Sequence, residues 1–522
     1  MKKGFTLIEL LAIIIIMGTI SILSFSSITD TIRKNKEKEI KVFEKNIFTA
    51  AELYITANLD SYKNLDEIDN IEKIKVKDLV ESGYLNRTIN NPTNIQLLDY
   101  YVIAKRTLEK GLEYTLSYQG NPSDGNLYYT ESILNGAVPE LDPGMIPITF
   151  VNNKPVKADL YTNWYDYETK KWANVVLVSE ASRNNYKNAK AGKEILEADI
   201  LAYFVWVPRY KFKLFNTAGA SNTTPISIEI IFENNKTQKS TGTTDGAYLT
   251  PPGFTFGLEE LNGLWVGKFE TTGSVAAPTI KPNLSPLSNQ KQRFQFDTSK
   301  IFKSYSVSTD SRVMKNSEWG TVAYLSHSKY GVNEEIRTNN NFPIITGCGA
   351  STVNGDTNES CQIEYGNSLS YPQSTAGNIT GIFDMSGGSY EYTMGVLADS
   401  NGTPYSGRNS DWNSGFNGPF GGVSTAPFEL TTGVPFPEQK YFDLYTSSDA
   451  MTACNGKKCL GQGIIETNGW YQDAFRFTYP KMPFHIRSGR YNLRTSSGIF
   501  LVGTDDSGVS YGTVSFRVVI SR

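Results

Sequence analysis

Hydrophobic positions along the chain follow two regimes. From Phe5 to about Ser27 they form an apolar run, entered through Lys2, Lys3 and Gly4, whose one charged residue is Glu9. A bilayer crossing needs about 20 residues, and this run reaches that length. A carboxylate at such depth is costly unless it finds a partner. Cleavage after Gly4 would supply one, the new amine of Phe5 on a neighbouring subunit. Beyond the run, Ile28, Ile32, Ile40, Phe43, Ile47, Ala50, Ala51, Tyr54 and Ile55 recur largely at helical spacing. Arg33, Lys34, Lys36, Glu37, Lys38, Lys41, Glu44 and Lys45 occupy the other side and read as a solvated face. The pattern predicts one helix from residue 5 to about 58. No proline interrupts it, since the first is Pro92, and Gly18 is its weak point, at about 1 kcal/mol against alanine. Ile74–Leu85 then predicts a short helix ended by Gly83. Asn90-Asn91-Pro92 makes a turn, and Leu98–Lys105 and Leu112–Tyr118 predict strands.

The second regime begins after a polar stretch at Gln119–Asn126 and a softer boundary at Pro139–Gly144. Short aromatic or β-branched runs, such as Ala202–Tyr210, Ile226–Phe232 and Val514–Ile520, alternate with loops rich in Gly, Asn, Ser and Thr. Ser317–Ser328 predicts a helix. No repeat of 20–50 residues is visible. The expected organisation is residues 1–4 as a leader, 5–120 as a helix with a small head, 121–140 as a linker and 141–522 as a larger domain. Lys2 and Lys3 place the leader on the cytoplasmic side, so the remainder is expected to be exported from a membrane-held start.

Charge changes this picture little: a net −3 gives no pointer to a nucleic-acid partner, while local basic patches stay open. The four cysteines add more, because an even number in an exported chain favours disulfides. Proximity alone pairs Cys348 with Cys361 and Cys454 with Cys459. Free thiols and the two other pairings stay open, while a four-cysteine zinc site fits the spacings poorly. Phosphate-binding and nucleophile-elbow motifs are not apparent. The cluster Trp164-Tyr165-Asp166-Tyr167 with Trp172 reads as core before it reads as a sugar platform.

The stretch Gly4-Phe5-Thr6-Leu7-Ile8-Glu9-Leu10-Leu11 resembles the type III signal of type IV pilins and pseudopilins. The resemblance implies cleavage after Gly4 by a prepilin peptidase, methylation of Phe5, and packing of Phe5 and Glu9 into a filament core with other pilin subunits. The membrane holds the chain before assembly, and a pilus or the cell surface is the expected destination.

Four further anchors resemble the formylglycine-generating-enzyme/sulfatase-modifying-factor family, a branch of the C-type-lectin-like folds. They are Leu264–Thr271, Ser317–Leu325, Gly377–Tyr392 and the pair Ile486–Tyr491 with Ser515–Val519. The two resemblances together imply an α+β chain: a long N-terminal membrane or filament helix with a small pilin head, then a large, irregular, loop-rich C-type-lectin-like domain. Enzyme activity is not carried over. The family's copper-binding cysteines follow the arginine motif, and no cysteine lies between Arg487 and Arg522. With only His327 and His485, a three-histidine iron site cannot form. No cofactor is expected except calcium, for which Glu391 matches the family glutamate; Gly388 replaces the usual asparagine. The same resemblance makes Arg490–Tyr511 the candidate binding face for a surface ligand or glycan, with Arg490, Tyr491, Asn492, Arg494, Asp505, Asp506 and Tyr511 as its polar and aromatic residues. The expected role is a minor or tip pilin acting as an adhesin. A pseudopilin of a type II secretion or DNA-uptake machine is the alternative, and an anchored oxidase ranks below both.

Overall fold

The structure, a computed structural model, describes residues 39, 41–68, 70–86, 97–107, 111–117, 136–160, 164–219, 221, 223–233, 239–243, 247–302, 309–349, 360–407, 413–422, 433–455, 458–504 and 507–522. The chain divides into two compact units, Met1–Ile133 and Leu134–Arg522.

The first unit is a helix on a sheet. Helix α1 (41–57) turns Phe43, Ile47, Ala50, Ala51 and Ile55 inward and leaves Lys41, Val42, Lys45 and Glu52 exposed. The buried stripe packs with an antiparallel sheet of β1 (Ile71–Lys75), β2 (Tyr101–Thr107) and β3 (Gly111–Ser117) in that spatial order. Its register aligns Ile74, Val102 and Leu116 across the sheet, and all three are buried. Helix α2 (Val76–Glu81) buries Val76 and Leu79. It ends because Gly83 takes a left-handed φ of +78°, the usual way to close a helix and pair its last carbonyls; the Tyr84 and Leu85 N–H groups both donate to Leu79 O.

The expected long membrane or filament helix is corrected by this arrangement. Among the described residues, the part that belongs to it is α1, whose outward face carries charges that hydrocarbon does not accommodate. No helix of the described residues is long and apolar enough to cross a membrane. The expected localisation, a membrane-held start leading to a pilus or cell surface, loses its structural support with it. Phe5–Ser27, including Glu9, and the processing residue Gly4 lie outside the described residues.

The second unit is also not the loop-dominated C-type-lectin-like body expected. It is strand-rich, with separate sheets. The largest has seven antiparallel strands. They are β4 (Met145–Val151), β5 (Lys154–Lys157), β6 (Asn174–Val178), β7 (Ile200–Pro208), β8 (Gly263–Gly267), β9 (Asp310–Val313) and β14 (Val518–Ser521), in the order β9-β14-β8-β7-β6-β4-β5. Central strands β6 and β8 are buried throughout, and β7 exposes only Leu201. A strand covered on both faces shows no polar alternation, which is why these runs are apolar in sequence apart from Asn174 at the start of β6. Trp206 and Trp265 sit directly opposite each other, and their indole N–H groups donate to Ala137 O (2.9 Å) and Glu140 O (2.7 Å). Trp164, Tyr165, Tyr167 and Trp172 are core.

A smaller sheet is built around β10 (Tyr390–Leu397). It pairs with β11 (Asp443–Tyr445) and β13 (Val514–Phe516) in parallel and with β12 (Phe484–Arg487) antiparallel. The chain passes from the small sheet to the large one between β13 and β14, at Arg517. The helices of this unit are short: α3 (Glu180–Asn188), α4 (Gln292–Ser299), α5 (Asn316–Ser326) and α6 (Ala450–Ala453). Helix α5 is buried along its whole length, and Trp319 on it donates to Ile499 O at 2.7 Å. Two disulfides, Cys348–Cys361 and Cys454–Cys459, join the cysteines that proximity pairs.

Candidate ligand-binding face

Three segments of the second unit are laced together through their backbones. The Gly387 N–H donates to Ser488 O (3.1 Å), the Gly388 N–H to Asn339 O (2.7 Å) and the Tyr491 N–H to Gly388 O (2.9 Å). Gly387 has φ +80°, and a Cβ there would lie 2.3 Å from Asn339 O, so only glycine allows this approach. Ser488 holds φ +75° and secures the turn with its hydroxyl, which donates to Gly387 O at 2.8 Å. The Ser497 hydroxyl donates to Arg490 O (2.8 Å), and the Gly498 N–H donates to Ser488 O (3.0 Å). Both ends of the loop 490–496 are thereby fixed.

This frame presents an aromatic corner. The Tyr491 and Phe342 rings lie 5.8 Å apart at 83°, and Phe342 is 62% exposed. The half-buried Arg490 rests its guanidinium 5.8 Å from the Tyr390 ring. Its buried Nε has no hydrogen-bond partner among the described residues. Asn492 and Arg494 are exposed on the same loop.

Beneath the turn lie three buried carboxyls and one guanidinium. Arg517 donates to both oxygens of Glu391 (2.6 and 3.1 Å) and to Gly267 O (2.9 Å). Asp384 accepts from the Gly347 N–H (2.7 Å) and from Asn339 Nδ2 (3.0 Å). Glu270 accepts from the Ser389 N–H at 3.0 Å through one oxygen, and its other oxygen is buried without a hydrogen-bond partner among the described residues. Burial raises all three pKa values. Glu391 rises to about 7 despite the opposing pull of Arg517. Asp384 rises to about 6, with its N–H donors and Arg517 opposing. Glu270 stands well above the usual range, pushed first by burial and then by Glu391 and Asp384. A calcium ion on Glu391 would have to displace the guanidinium, so the arrangement does not fit one there. Among the described residues no group of three or more His, Cys, Asp or Glu is placed to hold a metal.

The expected face is only partly realised. Arg490, Tyr491, Asn492 and Arg494 share one outward loop, but Ser497–Thr504 are buried and close the fold. Tyr511 is half-buried, and its carbonyl accepts from the N–H groups of Asn289 (2.8 Å) and Val514 (3.3 Å), tying it to other segments. Asp505 and Asp506 lie outside the described residues, as do Gly4, Phe5 and Glu9. Phe342 was not legible as a site residue: it follows an asparagine run that carries no period. Glu270 gave one signal, a carboxylate beside the apolar strand β8.

No protein-family model matches this chain, and no curated protein does either. Among solved structures, Treponema denticola variable protein 1 aligns over 61% of this chain and 96% of its own, at 9% identity and a TM-score of 0.24. A superposition that loose carries no argument about fold or function.

Proposed function

We propose that this protein is a filament subunit, adhesive in role, whose second unit displays a ligand-binding face and performs no chemistry on what it binds. The filament part of the reading rests on Gly4–Leu11, with Glu9 inside an apolar run. The binding part rests on one observation. The Phe342–Tyr491 corner and Arg490 stand on a frame made of backbone hydrogen bonds. Tyr and Arg concentrate binding energy where rigid turns hold them.

The test is a binding screen of the full chain against glycans and surface proteins, run on purified protein and on filaments recovered by shearing. The double substitution Phe342→Ala/Tyr491→Ala is expected to reduce binding more than tenfold while leaving unfolding unchanged. Undiminished binding in that variant refutes the face. Absence of the chain from recovered filaments refutes the subunit reading.

A further inference from the structure

On the proposed reading of this face, we infer that Asp384 is a positioning residue, a clasp on the loop that carries Phe342, and that proton uptake by Asp384 opens the clasp and releases Phe342 from Tyr491.

The loop runs from Asn339 to Gly347, and the two oxygens of one buried carboxyl hold its two ends. Asp384 Oδ1 accepts from Asn339 Nδ2 (3.0 Å), and Oδ2 accepts from the Gly347 N–H (2.7 Å). The Asn339 amide carries the hold into the loop. Its Nδ2 also donates to Ile345 O (3.1 Å), and its Oδ1 accepts from the Asn341 N–H (3.2 Å) and from Asn341 Nδ2. Asn341 in turn accepts the Ile345 N–H on its Oδ1 (2.9 Å) and the Ile344 N–H on its carbonyl (3.2 Å). Phe342 and Pro343 stand outside this bonded base, both exposed, and the Phe342 ring meets Tyr491.

The base of the loop holds strain. Ile344 has φ +50°, in the left-handed region that a β-branched side chain avoids. Such a conformation persists only where the surrounding bonds over-determine it. The bonds that fix it pass through Asn341, whose amide is oriented by Asn339, whose own amide is oriented by Asp384. The Tyr491 side of the corner differs, because it is tied through the backbones of Gly388 and Asn339 with no titrating group. Opening the clasp therefore frees Phe342 and leaves Tyr491 in place.

A carboxylate only accepts, and both oxygens of Asp384 face N–H donors; a proton makes one of them a donor and a poorer acceptor. Those two bonds pull the Asp384 pKa down, so a proton must weaken them in return. Burial pushes the other way and more strongly, to about 6. The charged or titratable groups around Asp384 are Glu270 after β8, Glu391 on β10 and Arg517 between β13 and β14. Glu391, pushed up to about 7, meets Arg517 and not the loop. Lys268 spends its ammonium on Asn174, Ile379 and Gly381. The clasp is thus closed in the carboxylate form and opens as pH falls through about 6.

The experiment uses the full chain with 4-fluorophenylalanine in place of Phe342, read by fluorine NMR from about pH 7.5 to about pH 5 without ligand. The signal is expected to move with a midpoint near pH 6 while tryptophan fluorescence, which reports the second unit, stays constant. Asp384→Asn, which carries an amide donor where the acid form carries its proton, should hold the signal at its acid position throughout. Hydrogen exchange gives a second measurement on the unsubstituted chain and serves if that variant does not fold. Corrected for the intrinsic effect of pH, the Gly347 amide should exchange about tenfold or more faster at about pH 5 than at about pH 7.5, as loss of one charge-assisted bond gives. A flat fluorine signal, a movement that comes only with loss of the tryptophan signal, a titration that survives Asp384→Asn, or equal Gly347 exchange at both pH values overturns the clasp. None of these measurements involves a ligand, so the binding test of Phe342 and Tyr491 stands or falls separately.

Discussion

His485 offers a sharp test of how the second unit is held together. It lies on β12 with no exposure, its ring between Tyr445 (4.7 Å) and Phe477 (5.0 Å). Burial, then the neighbouring Arg487, lowers its pKa to about 3, an effect the Gly395 backbone offsets only in part. A histidine that stays neutral when folded but takes a proton when unfolded contributes stability above an unfolded pKa near 6.5, and that stability is lost as pH falls toward the folded value. The fall from about pH 7 to about pH 5 should cost about 2 kcal/mol, and the full effect approaches about 5 kcal/mol near pH 3. His485→Phe keeps the ring stack and removes the proton site. Urea unfolding at a series of pH values, followed by tryptophan fluorescence, reads the difference. All seven tryptophans lie in the second unit, so the signal belongs to it alone. Asp384 and Glu391 act in the opposite sense. Their raised pKa values stabilise the fold below their unfolded values, and that contribution is lost as pH rises through about 6 and about 7. Both proteins share this background, so it cancels in the difference. Parallel pH profiles for the variant and the parent would refute the reasoning.

Arg517→Met should cost about 3–5 kcal/mol in the same unfolding assay, because it strands Glu391 beside Asp384 and Glu270 without a cation; a loss under about 1 kcal/mol would show that the pair is dispensable. Lys268→Met should cost at least about 3 kcal/mol, since the buried ammonium donates to Asn174 Oδ1 (2.9 Å), Ile379 O (2.6 Å) and Gly381 O (2.8 Å). Wild-type stability in that variant would mean those three acceptors find other donors.

How much was legible in the chain depends on whether the signal was local. The run that became β7 declared itself because two covered faces leave no polar alternation. Helix α5 falls within a residue or two of the expected Ser317–Ser328, and the cysteines paired with their neighbours in sequence. The amphipathic period of 41–57 was also readable; the step to a single helix running back through the membrane was not supported by the described residues. Long-range polar pairs left no trace. Arg517 and Glu391 are 126 positions apart, and Lys268 and Asn174 are 94 apart. Their partnership is set by the order of strands in the two sheets, which no spacing rule encodes. Phe342 and Tyr491 likewise meet only because Gly387 and Gly388 bring two distant loops to one turn.

The same non-local bonding positions the proposed binding face. The bonds that position it join backbone atoms of Asn339, Gly387, Gly388, Ser488, Tyr491 and Gly498, with the Ser488 and Ser497 hydroxyls added, so none depends on which side chains stand at 491, 492 or 494. Side chains from Ser497 to Thr504 are buried and do support the fold. Substitutions at 491, 492 and 494 are therefore expected to cost little in stability, because surface changes away from buried networks are worth about 0.5 kcal/mol or less. Substitutions within 497–504 disturb packing instead. Glycine at 387 is the exception within the frame, since a Cβ would strike Asn339 O. On the proposed reading, recognition belongs to 490–494 and stability to 497–504, adjacent but separate stretches of one segment. A display domain of the proposed kind requires that separation if its ligand is to change while its fold does not.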